Sequence, residues 1–180
     1  MPTFTLLPHP STPCEFVRAV IVEVEPAAGA GLQLTYALTG DLQQLIVPDS
    51  RQPARADGLW RATCFEIFLR AAGSAPYEEF NFAPSGEWAA YAFEGYRQGM
   101  KALEQPEAPR IVCRPDAQRL EVEVQFQSTL LAEHDLRAAL SAVLKHKDGK
   151  LSYWALAHPQ GKPDFHDAVG FVAEGFGLGA

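Results

Sequence analysis

Apolar and polar side chains alternate with a period of two along most of this chain, and short clusters of Gly, Pro, Asp and Ser interrupt the alternation. The clearest run is RLEVEVQFQ, in which Leu120, Val122, Val124 and Phe126 point to one face and Glu121, Glu123, Gln125 and Gln127 to the other. Such a run is a strand with one face in a core and the other in water, because a helix would scatter the same residues around its circumference. Similar strands are predicted over Phe16 to Glu25, Leu32 to Thr39, Ala62 to Arg70, Tyr77 to Ala83, Glu87 to Phe93, Arg110 to Arg114, Leu140 to Lys147, Leu151 to Ala157 and Ala168 to Ala173. About ten strands with little helix predict an all-β fold, an antiparallel β-sandwich of jelly-roll type.

The interruptions have turn chemistry: PAAGAG, PDSRQPARADG, AAGSAP, PSGE, QPEAP, RPDAQ, KDGK and HPQGKPD supply the residues that tight reversals require. One stretch, STLLAEHDLRAA, has helical content, with Ser128 as the cap of a short turn. No internal repeat or low-complexity linker is visible, so residues 1–180 are expected to form one domain.

In RATCFEIFL the alternation sets Phe65, Ile67 and Leu69 on one face and Cys64, Glu66 and Phe68 on the other. Glu66 therefore has apolar neighbours on a face that is not plainly solvated. A carboxyl in that position either caps a polar group of the protein or accepts hydrogen bonds from a polar ligand. Around it the aromatic residues crowd into one stretch, from Trp60 through Phe65, Phe68, Tyr77, Phe80, Phe82, Trp88, Tyr91 and Phe93 to Tyr96.

Composition narrows the function classes. The chain has 180 residues, 47% of them hydrophobic and 21% charged, with a mean hydropathy of −0.09, which are globular values. Fifteen Lys and Arg against 22 Asp and Glu give a net charge of −7, so a nucleic-acid backbone would be repelled. No apolar segment is long enough to suggest a membrane span. Cys14, Cys64 and Cys113 are an odd set at wide spacing without a CxxC, which predicts free thiols and a cytoplasmic location. The opening MPTFTLLPHPSTP has no basic segment followed by an apolar run, so no signal peptide is expected.

Three segments, LWRATCFEIFL, YEEFNFAPSGEWAAYAFEGYRQGM and SYWALAHPQGKPDFH, resemble the DOMON-like proteins. Trp60 before the strand bearing Glu66, the Phe80-Asn81-Phe82 pattern, and Gly86 leading the strand with Trp88 carry the likeness. The resemblance implies the sandwich shared with family-nine carbohydrate-binding modules and with haem- or sugar-binding DOMON domains. The chain departs from the secreted modules in lacking an Asp/Asn/Gly calcium loop. It departs from haem-carrying members in offering only Met1 and Met100, neither of which matches the axial methionine.

Sugar recognition also has a basis in the residues themselves. A sugar ring presents C–H faces to a flat indole and a rim of hydroxyls to planar polar groups. Trp60, Trp88 and Trp154 are the platform candidates, with Trp60 in a loop and the other two inside strands. Arg61, Glu66, Asn81, Arg97, His158 and His166 are the polar candidates. The expected ligand is a sugar or sugar-like small molecule, neutral or weakly acidic, bound without catalysis and without a resident cofactor. Two other readings remain: a haem or metal carrier using His158 or His166, and an enzyme for a small substrate with Glu66 as acid or base. Against catalysis, the chain has no GxSxG, P-loop or GxGxxG, and no HExxH pair for a metal.

Overall fold

The computed structural model describes residues 2–175, in which the only helical segments are four short 3-10 turns. In chain order the strands are β1 (Thr3–Pro8), β2 (Val17–Ala27), β3 (Gly31–Gly40), β4 (Ala54–Arg55), β5 (Cys64–Ala71), β6 (Tyr77–Phe82), β7 (Glu87–Phe93), β8 (Lys101–Ala102), β9 (Arg110–Pro115), β10 (Arg119–Phe126), β11 (Leu136–Lys145) and β12 (Leu151–Ala155). The all-β class predicted from the alternation is the class observed.

Hydrogen bonds join these strands along one path, β4-β7-β6-β5-β11-β12-β1-β2-β3-β10-β9, with β8 beside β7. Pairing is antiparallel except between β4 and β7. The pivot is β1, whose Thr3 to Leu6 pair with β2 while Leu7 and Pro8 pair with β12. One short strand thus carries the sheet from one half into the other, and the sheet curls until both halves turn a face to a common core. Val20, Val22, Leu34, Leu38, Val122 and Val124 come to that core from one half; Phe65, Ile67, Phe80, Phe82, Leu140 and Leu144 come from the other. Each fully buried aliphatic or aromatic side chain contributes about 1.5–3 kcal/mol, and this core is the principal source of stability.

The half containing β5, β6, β7 and β11 is covered on its second face too. Leu59, Cys64, Phe68, Tyr77, Tyr91, Phe93 and Phe171 form a smaller apolar cluster there. All six residues from Cys64 to Leu69 are buried for that reason, and the two faces divide as the alternation predicts.

The two-residue strands β4 and β8 are too short to show alternation and are not among the predicted strands, and three further segments also differ from expectation. Strand β1 escapes the pattern because only Leu6 of its six residues is buried. Ala168 to Ala173 form a turn, Ala168–Gly170, followed by a single bridge from Ala173 to Ala138, instead of a strand. In STLLAEHDLRAA, Ser128 does cap a turn, its Oγ accepting from the Leu130 N–H at 3.0 Å. The second part of that segment is the start of β11, because Leu136, Ala138 and Leu140 alternate into the core.

Candidate ligand-binding site

Strand register brings chemistry together on the second face of the β5–β6–β7–β11 half. Glu66 lies opposite Ser141 on β11 and opposite Asn81 on β6. One step along the same face, Glu79 lies opposite Phe68 on β5 and Tyr91 on β7. Period-two geometry thus sets two carboxyls, an amide and a hydroxyl in adjoining rows among aromatic rings.

Above these rows is a cavity of about 670 Å³, a size suited to a small organic ligand. Glu66 and Glu79 form its floor, Tyr91, Phe93, Tyr153 and Phe165 its aromatic walls, and Trp60 and Met100 lie at its margin. Trp60 belongs to the turn Leu59–Arg61, entered through Gly58 at φ 76°, a left-handed conformation that suits glycine. The indole is 43% exposed there.

The loop Lys162 to His166 closes one side and is fastened to the hairpin after β7. Arg97 Nη2 donates to Asp164 Oδ1 at 2.7 Å, the Tyr96 hydroxyl donates to Asp164 Oδ2, and the His166 N–H reaches Oδ1 at 3.0 Å. Burial pushes Asp164 upward, but these donors outweigh it and hold the carboxyl below its ordinary range. The Tyr77 hydroxyl accepts from the Arg97 N–H at 3.2 Å and lies 2.7 Å from His166 Nδ1. With that hydroxyl donating to Nδ1, the Nε2–H of His166 faces Glu79 Oε2 at 3.7 Å.

Both floor carboxyls are hard to ionise. Burial, then the nearby Glu79 charge, raises Glu66 well above the usual carboxylate range, with only Ser141 Oγ opposing at 3.4 Å. Burial raises Glu79 to about 7, partly offset by the Asn81 hydrogen bond and the Arg97 charge. His166 moves the opposite way, to about 4, through burial and then Arg97, and is neutral at physiological pH.

Of the residues singled out from sequence, Trp60, Glu66, Arg97 and His166 line this cavity. Asn81 is fully buried beside the floor, donating from Nδ2 to Glu79 Oε1 at 2.7 Å; its Oδ1 has no hydrogen-bond partner among the described residues. The structure places the other candidates elsewhere. Trp88 and Trp154, 8% and 3% exposed, belong to the core. The Arg55 guanidinium covers Trp88 at 5.3 Å, and the Trp154 Nε1–H donates to Ser152 Oγ at 3.1 Å. His158 sits with Nε2 2.8 Å from the Leu7 carbonyl and its ring edge-on to His9. Arg61 is exposed and outside the lining.

Sequence reasoning missed Glu79, Tyr153, Asp164 and Phe165 as site residues. A signal for Glu79 was present: it shares the face of Asn81, two positions away. The three segments that carry the family resemblance supply every lining residue except Val143.

A metal or haem finds little purchase. No group of three or more His, Cys, Asp and Glu side chains suited to a metal occurs among the described residues. Met100 and His166 both line the cavity, but one imidazole nitrogen of His166 meets the Tyr77 hydroxyl and the other faces Glu79. An iron on Nε2 would have to enter between His166 and Glu79, which lie 3.7 Å apart, so the arrangement present does not fit a His/Met-ligated haem.

No family model matches this chain, and no curated protein matches its sequence. One solved structure does match: a putative carbohydrate-binding protein from Bacteroides uniformis ATCC 8492, with a TM-score of 0.64 and 12% sequence identity. The likeness covers 95% of this chain and 84% of that one. It is a likeness of fold. At that identity the shared feature is the curled sheet, and the chemistry of the cavity has to be argued from this chain's own side chains.

Proposed function

We propose that this protein is a non-catalytic binding domain for a sugar or sugar-like small molecule. The observation that carries the reading is Trp60, a half-exposed indole at the margin of a cavity whose floor holds Glu66 and Glu79. An indole stacks on the C–H face of a pyranose while carboxyls beneath accept from its hydroxyls. The fold likeness to a putative carbohydrate-binding protein adds support. So does the supply of nearly all the lining by the three DOMON-like segments, and we read the curled sheet as a jelly-roll-like sandwich of that kind. A cytoplasmic setting belongs to the same proposal, in keeping with three unpaired thiols.

The test is a panel of mono- and disaccharides at millimolar concentration, followed by tryptophan fluorescence and melting temperature. Saturable quenching that disappears in Trp60→Ala supports the reading; a panel that moves neither observable refutes it.

The carboxyl pair favours a second reading, an acid–base enzyme. Two adjoining buried carboxyls, one raised to about 7 and the other also raised well above the ordinary range, are an arrangement that can separate a proton donor from an acceptor. Release of nitrophenol from nitrophenyl glycosides, lost in both Glu66→Gln and Glu79→Gln, would establish it. Binding without turnover would exclude it for those substrates.

A further inference from the structure

The floor of the cavity is acidic, and the one protein cation that acts on it, Arg97, reaches Glu79 only through its charge and not by an ion pair. Glu66 and Glu79 are 3% and 6% exposed. Among the described residues neither forms an ion pair with a lysine or an arginine. The nearest imidazole, His166, is neutral. Arg97 lines the cavity but is engaged by Asp164 at 2.7 Å. Lys162 lines it from an exposed loop position, with no ion pair to either carboxyl. The Glu66 carboxyl receives one hydrogen bond, from Ser141 Oγ to Oε2 at 3.4 Å, and among the described residues its Oε1 receives none.

Around this floor the lining is aromatic, with Tyr91, Phe93, Tyr153 and Phe165 in the walls and Trp60 at the margin. Aromatic faces attract cations, most strongly when both are shielded from water. Burial and mutual repulsion hold these carboxyls back from ionising, and a cation set beside them relieves both; the carboxylates so formed offer only acceptors, so the complement of this floor brings donors and positive charge in one group. A neutral hydroxyl supplies the donors without the charge, and a ligand carboxylate or phosphate would meet repulsion.

From this juxtaposition of two carboxyls, neither in an ion pair with a lysine or arginine, with aromatic walls we infer that the ligand carries a protonated amine, the class being an amino sugar or a similar amine-bearing polyol. The polyol part rests on the sugar reading above, whereas the ammonium part rests on the cavity alone. The ammonium sits over Glu66 and Glu79, and the apolar remainder packs against Trp60 and Tyr153. This departs from the neutral or weakly acidic ligand expected from sequence, because the register of β5 and β6 sets Glu79 beside Glu66.

The test is calorimetric titration of the full chain with four probes at pH 7.5: glucosamine, glucose, N-acetylglucosamine and choline. Glucosamine is expected to bind at least about tenfold more tightly than glucose or N-acetylglucosamine, and Glu79→Gln is expected to erase most of that margin. Choline, a permanent cation without a sugar ring, is expected to bind measurably. Equal affinities for glucosamine and glucose would overturn the ammonium inference and leave the sugar reading standing. Binding of choline with none of the three sugars would overturn the sugar reading and keep the ammonium inference. Silence from all four probes would overturn both. If Glu79→Gln fails to fold, the ranking of probes on the wild-type protein decides alone.

Discussion

Asn81 fixes Glu79 from the next position on the same face of β6, its Nδ2 donating to Oε1 at 2.7 Å. The bond is fully buried, and it stabilises the ionised carboxylate more than the neutral acid. Asn81→Leu keeps the volume and removes the donor. The titration of Glu79, followed by its side-chain carbonyl carbon in NMR, is then expected to move above about 7. Stability should fall by about 1–3 kcal/mol as a buried partner is lost. An unchanged or lower titration midpoint would show that Asn81 is not what holds the carboxylate.

Glu79 and His166 impose opposite pH dependences on stability. Glu79 rises from 4.5 to about 7 on folding, so between those values the folded state holds a proton that the unfolded state has released. Its contribution is fully present below about pH 4.5 and is lost as pH rises through 7. His166 falls from 6.5 to about 4, so across that window the unfolded state holds the extra proton and stability rises with pH. The two slopes oppose each other from about pH 4.5 to 6.5. In urea unfolding at a series of pH values, His166→Gln is expected to gain stability relative to wild type as pH falls through this range. Glu79→Gln should gain as pH rises. Each slope difference is bounded by about 1.4 kcal/mol per pH unit. Variants whose curves run parallel to wild type would show that neither group is shifted on folding.

How much of this was legible beforehand follows from where each signal resides. Val122 and Glu123 differ in chemistry at adjacent positions, so the faces of β10 could be read directly and are the faces observed. The buried status of Glu66 was legible from Cys64 and Phe68 beside it. Trp60 was legible as exposed because it follows Asp57 and Gly58 in a turn. Strand β1 was not, since its pairing with both halves leaves it little buried surface to impose alternation. Glu79 was hidden because pairing with Glu66 is a matter of register between β5 and β6, which a single strand does not display. The closure of the cavity by Asp164 and Arg97 joins residues 67 positions apart, a contact without a local signature.

The three thiols should be free and should react in order of exposure. Cys113 is partly exposed on β9, Cys14 is 8% exposed, and Cys64 is fully buried. Burial raises all three, and for Cys64 the neighbouring Glu66 adds to it, keeping that sulfur protonated far above neutral pH. With Ellman's reagent in native buffer, Cys113 is expected to react first and Cys64 only on unfolding. Denaturation without reductant should expose three thiols in total. A total of one would reveal a disulfide and remove the support for a reducing compartment.

Two tryptophans separate binding from stability. Trp60 is 43% exposed in a turn, so its indole contributes little to the fold, whereas Trp154 is 3% exposed in the main core with its Nε1–H satisfied by Ser152. Trp60→Ala is therefore expected to leave the urea midpoint almost unchanged and to weaken ligand binding by about tenfold to a hundredfold, the worth of a stacked ring. Trp154→Ala leaves a cavity in the core, at a cost of about 3–5 kcal/mol, while Ser152 Oγ keeps its hydrogen bond with His146 Nε2. Any residual folded fraction should bind with near-native affinity, because Trp154 does not line the site. The emission spectrum supplies an independent check. Loss of Trp60 should shift the remaining fluorescence to shorter wavelength, since both surviving indoles are buried. If Trp60→Ala destabilises the protein as much as Trp154→Ala does, the indole at the cavity margin is a packing element and the platform assigned to it is wrong.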